Sequence, residues 1–109
     1  MNLQISSDVN DGVARITLAG ELDASSAPLF RAEIEKVAAL QPSRLVLFVK
    51  DLDFMASAGL RVLIFAKQKL GAEVATFIVQ PQESIIDTLE KTGFHHSVTI
   101  LEDYSDWIE

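Results

Sequence analysis

A chain of 109 residues with 49% hydrophobic side chains has the size of one domain and can fill one core without covalent staples. It contains no cysteine, which excludes disulfides, thiolate metal sites and thiol redox chemistry. Nine basic against sixteen acidic residues give a net charge of -7, which disfavours nucleic acid and anionic lipid, where lysine and arginine must replace counterions.

The N-terminal "MNLQISSDVNDG" has neither a basic start nor a long apolar run, and no later stretch approaches the ~20 apolar residues that span a bilayer. The expectation is a cytoplasmic protein without direct membrane insertion. Leu3 and Ile5 alternate with polar residues, and Val13, Ile16 and Leu18 follow the turn signal "NDG", so the chain opens with an antiparallel pair whose second strand ends near Ala19. "SSAP" offers Ser25 or Ser26 as an N-cap, with Pro28 in the first turn. Leu29, Phe30, Ile34, Val37 and Leu40 then recur at helical spacing, which predicts a helix over residues 27–40.

"RLVLFVK", residues 44–50, is nearly continuous in branched and aromatic side chains, as a central strand requires. After the loop "DLDFMAS", Leu60, Leu63, Ile64 and Leu70 predict a second helix over 58–70, with Arg61, Lys67 and Gln68 facing water and Gly71 as its stop. "EVATFIV" reads as a buried strand, "PQESIIDTLEKTG" as a short helix closed by Gly93, and "SVTIL" as a last strand. An acidic tail, about residues 101–109, follows; it holds Glu102, Asp103, Asp106 and Glu109, and around Tyr104 and Trp107 it has the makings of a short terminal helix. Without those four acids the body carries twelve acids and nine bases, so it is only mildly acidic.

The fold class is therefore α/β, in the order β-β-α-β-α-β-α-β. It has a mixed sheet with an antiparallel N-terminal pair, two parallel strand–helix–strand units and helices packed mainly on one face. The other face is left partly bare or is covered by a partner. The carboxyl ends of parallel strands share one edge, where sites are built. If the strands ending near Ala19 and Lys50 are neighbours, Asp23 of "GELD" and Ser57 of "MASAGLR" meet at that rim. Ser57 falls at the N-cap or first turn of the second helix, where open N–H groups and the helix dipole favour a phosphate. Ala56, Ala58 and Gly59 leave its hydroxyl open.

"GELD", a helix, "LVLFVKDLDFMASAGLRVL", a strand with proline just beyond it and a short helix ending "TGF" together resemble the STAS domain, shared by anti-sigma factor antagonists and the cytoplasmic tails of sulfate transporters. The resemblance covers roughly residues 3–101 and implies a single STAS domain over 1–109. In antagonist members the first serine of the turn is the phosphorylation site, which falls on Ser57. The resemblance further implies that the unmodified protein binds an anti-sigma factor that is also a histidine-kinase-like serine kinase. Phosphorylation by that kinase switches the protein off, and a PP2C-type phosphatase resets it. The expected contact face is Asp23, Ala56, Ala58, Gly59, Leu60, Arg61 and Ile64. Many antagonists carry Asp where this chain has Ala56, so any help that carboxylate gives to kinase recognition is missing. The alternative is a STAS adaptor, associated with a transporter or another bacterial signalling scaffold, in which Ser57 is not phosphorylated.

Catalysis is not expected, nor a cofactor or metal. A nucleophile elbow needs G-x-S-x-G, and Met55 stands at the first glycine, although His95 and His96 follow Asp87 in a hydrolase-like chain order. Asp51 follows a central strand as an aspartyl-phosphate acceptor would, yet the other receiver residues are not evident, so Asp51 and Asp53 read as turn residues or partner-facing charges.

Overall fold

The computed structural model describes residues 3–103. Strands β1 (Leu3–Asn10) and β2 (Val13–Leu22) form an antiparallel hairpin. Asp11 and Gly12 both have positive φ, the two-residue turn whose twist matches that of its strands. Helix α1 (Ala27–Ala38) leads to β3 (Arg44–Met55), α2 (Ser57–Leu70) to β4 (Ala75–Val79), and α3 (Glu83–Thr92) with a 3-10 turn at Phe94–Ser97 to β5 (Thr99–Leu101). The sheet order is β1-β2-β3-β4-β5 with every pairing after the first parallel. Three strand–helix–strand units therefore replace the two expected.

Alternation sorts the two sheet faces. Ala14, Ile16 and Leu18, then Leu45, Leu47 and Val49, then Ile78 point to the side on which all three helices lie. Phe30, Ile34 and Val37 of α1, Leu60, Leu63 and Ala66 of α2, and Ile85 and Leu89 of α3 close that core. Val13, Val46, Phe77 and Val79 form a separate cluster on the opposite face. Among the described residues, no helix is long and apolar enough to cross a membrane.

Several boundaries differ from the sequence reading. Helix α1 stops at Ala38, and Leu29 and Leu40 are exposed: Leu29 lies one residue off the Phe30–Ile34–Val37 stripe, and Leu40 leads into Gln41, whose positive φ turns the chain away. Strand β2 runs on to Leu22 and β3 to Met55, so "GEL" and "DLDFM" are strand rather than loop. Register shifts between Thr17 and Ala19 and between Gly20 and Glu21 let the two strands stay paired to their ends. Asp51 and Asp53 are consequently strand residues; Asp53 accepts from Gln82 Nε2 at 3.2 Å, which ties the strand end to the start of α3. The helix expected around Tyr104 and Trp107 lies outside the described residues.

Candidate functional site

The β2–β3 pairing builds the rim. Leu22 is in register with Met55, and the Ala56 N–H donates to the Leu22 carbonyl at 2.8 Å. Asp23 leaves β2 and Ser57 starts α2 immediately beyond this bond, so the two reach the same sheet edge.

The turn after Asp23 is held by side chains. Asp23 Oδ1 accepts from the Ser25 hydroxyl at 2.8 Å, the Ser25 N–H at 3.0 Å and the Ser26 N–H at 3.1 Å. These bonds hold its carboxyl below the usual carboxylate range, with the Ser25 hydroxyl as the largest cause. Buried Ser26 occupies the N-cap position of α1 but makes no side-chain cap bond. Its hydroxyl donates to the Glu21 carbonyl at 2.9 Å and accepts the Asp23 N–H at 2.9 Å, while Pro28 has no N–H to offer a cap and the Leu29 N–H bonds the Ser26 carbonyl at 3.0 Å.

Across the rim, Ala56 caps α2 without a side-chain bond and Ser57 is the first helical residue. Its side chain is exposed, and among the described residues its hydroxyl has no hydrogen-bond partner. The first amides of α2 open toward it, as at any helix start. Gly59 is buried two residues on, where an added Cβ would lie 2.6 Å from Leu22 Cγ and 2.9 Å from Met55 Cγ. Only glycine lets α2 sit this close to the ends of both strands.

Helices α1 and α2 leave an open groove of about 270 Å³ between Ala24, Ala27, Pro28, Arg31, Ala58, Arg61 and Val62. Arg31 stacks over the Phe65 ring at 4.0 Å and pairs with Glu35 at 3.8 Å. Arg61, one helical turn after Ser57, is exposed and has no ion-pair partner among the described residues. The outward face of α2 thus presents Ser57, Arg61 and Ile64, the last 42% exposed.

The STAS domain family model matches residues 4–106. The chain belongs to the STAS domain family. The STAS chain is 37% identical to an anti-sigma F factor antagonist of Paenibacillus polymyxa over 74% of its own length and 73% of the relative's. It is 31% identical to the anti-sigma-F factor antagonist RsfB of Mycobacterium tuberculosis, over 64% of its own length and 57% of that relative's. An anti-sigma factor antagonist from Mycobacterium paratuberculosis superposes with a TM-score of 0.86 at 26% identity, over 95% of this chain and 89% of that one.

Of the residues singled out from the sequence, the STAS fold brings Asp23, Ala56, Ser57, Ala58 and Arg61 to one rim and its groove, with Ile64 on the adjoining helix face. Leu60 and Gly59 differ: both are buried in the core and position the rim from behind instead of presenting a surface. Sequence reasoning missed Arg31 and Phe54. Phe54, 49% exposed three residues before Ser57, lies in "DLDFM", which reads as loop; an aromatic at the end of a strand, just ahead of the turn, is its signal. Asp87 pairs with Lys91 at 2.9 Å and His95 Nδ1 lies 3.3 Å from the Leu89 carbonyl, so neither is engaged with Ser57 as a triad member would be. Among the described residues, no three His, Cys, Asp or Glu gather as metal ligands.

Proposed function

We propose that this STAS domain is an anti-sigma factor antagonist working in the cytoplasm by partner switching. Unmodified, it binds an anti-sigma factor that is also a histidine-kinase-like serine kinase, using the rim of Asp23 and Ser57, the α1–α2 groove and the outer face of α2. Phosphorylation of Ser57 by that kinase releases the complex, and a PP2C-type phosphatase restores it. The regulated quantity is binding, not catalysis. The observation that carries this reading is the exposed, unengaged Ser57 hydroxyl at the first position of α2, on the same edge as Asp23. A phosphate there adds about -1.5 to -2 charges. The helix start tolerates that charge within the free domain, whereas a partner packed against Phe54, Ile64 and Ser57 must desolvate it.

One observation favours a second reading. Ala56 presents only a methyl group beside the serine, and its backbone N–H is used by Leu22. A STAS adaptor in another bacterial assembly, with an unmodified Ser57, needs no carboxylate at that position. Capture of binding partners from native lysate, followed by intact-mass measurement with and without phosphatase, separates the two. A serine kinase among the captured proteins and a phosphatase-sensitive phosphate on Ser57 support the antagonist; a transporter component with unmodified Ser57 supports the adaptor.

A further inference from the structure

We infer that a phosphate on Ser57 is taken up by Arg61 of the same helix, so that modification pairs two groups within the free domain and draws a cation away from the groove offered to the partner. The inference rests on Ser57 as the modified residue and adds the group that receives its charge. Ser57 and Arg61 are four residues apart on α2, and both are exposed. Side chains at this spacing stand about 5–6 Å apart at Cβ, and each leans toward the helix N-terminus, so the Arg61 stem leans toward Ser57. An anion placed four residues before a cation is the favourable order on a helix.

The charges around α2 leave this pairing open. None of the 14 residues of the helix is an aspartate or glutamate, and among the described residues Arg61 has no ion-pair partner. The first turn therefore lacks the anion that a helix start favours and has a cation close by, which the helix dipole disfavours. The other charges of the rim are already engaged. Asp23 accepts from Ser25 and Ser26, while Arg31, across the groove, stacks on Phe65 and pairs with Glu35. Phosphoryl transfer from a nucleoside triphosphate forms the Ser57 Oγ–P bond, breaks the terminal P–O bond of the donor, and releases the hydroxyl proton and a nucleoside diphosphate. Two oxygens of the new phosphate match the fork of the guanidinium. Because Arg61 also lines the α1–α2 groove beside Ala58 and Val62, the pairing draws its charge out of that groove.

The test uses the full chain with phosphoserine installed at position 57 during synthesis, so it needs no kinase. Arg61 is exposed, and Arg61→Gln should fold as the parent does. At low salt the phosphorus NMR resonance should titrate at least about 0.3 pH unit lower with Arg61 present than in Arg61→Gln, and Arg61→Lys should restore part of that shift. Asp23 and Arg31 are present in every variant, so their effects cancel in the comparison. The phosphate should also shift the urea midpoint upward by more in the parent chain than in Arg61→Gln. Equal titration with and without the arginine would overturn the inference, and so would an equal effect of the phosphate on both midpoints. Either result leaves partner switching standing, since the phosphate's own charge still opposes a packed partner. Conversely, a captured kinase that leaves Ser57 unmodified would remove that reading without touching the pairing measured on installed phosphoserine.

Discussion

The backbone N–H of Ala56 donates to the carbonyl of Leu22 at 2.8 Å, and this one bond sits directly before both Asp23 and Ser57. It is the last rung of the parallel β2–β3 pairing, so the geometry of the rim is inherited from strand register rather than from loop conformation. Sites carried on strand ends and helix starts are held more precisely than sites on loops.

Gly59→Ala places a methyl carbon 2.6 Å from Leu22 Cγ and 2.9 Å from Met55 Cγ, two side chains that are themselves buried. Overpacking of this kind costs about 1–3 kcal/mol. The expected result is a lower urea midpoint at an unchanged slope. A midpoint equal to that of the parent protein would mean that α2 is not held against both strand ends.

Thr76 lies on the helix-covered face of β4 with its hydroxyl buried and, among the described residues, without a hydrogen-bond partner. Thr76→Val keeps the side-chain shape and removes the stranded polar group. Stability should rise by about 1 kcal/mol. A loss on thermal or urea unfolding would show that the hydroxyl is satisfied in solution.

Asp23 titrates below the ordinary range because Ser25 and Ser26 donate to its ionised form. A depressed folded-state value stabilises the protein fully above the unfolded-state value, and the contribution is lost as pH falls through the folded one. Asp23→Asn removes the charge, so its deficit in urea midpoint should be largest near neutrality and close in acid. A deficit that grew as pH fell would reverse the sign of the argument. Carbon-detected titration of the Asp23 carboxyl checks the same point directly.

Periodicity made most of the fold legible. Phe30, Ile34 and Val37 announced α1, "RLVLFVK" announced the central strand, and the place of Ser57 at a strand-to-helix junction followed from where the apolar pattern changed period. Strand ends were harder to read. "DLDFM" looks like a turn because it holds two aspartates, yet its pairing with β2 keeps it extended. That pairing depends on bulges in β3 itself, which takes up one extra residue between Phe48 and Asp51 and another between Leu52 and Phe54, and the local sequence does not signal them. The same limit hid part of the site. Leu60 and Ile64 are both apolar and one turn apart on α2, and only the packing of the folded chain shows that Leu60 is buried while Ile64 stands exposed. Ser26 illustrates the converse: the residue type suited an N-cap and the residue stands there, but its hydroxyl is turned to the Glu21 carbonyl and the Asp23 N–H.

In the proposed partner switch, negative charge at Ser57 weakens binding without disturbing the fold. Calorimetric titration of the anti-sigma factor kinase into the parent protein, Ser57→Ala and Ser57→Asp tests it most directly, with circular dichroism confirming equal folding. Ser57→Ala should bind like the parent and Ser57→Asp at least about tenfold more weakly, a difference of roughly 1.4 kcal/mol. Equal affinity for all three folded proteins would contradict it.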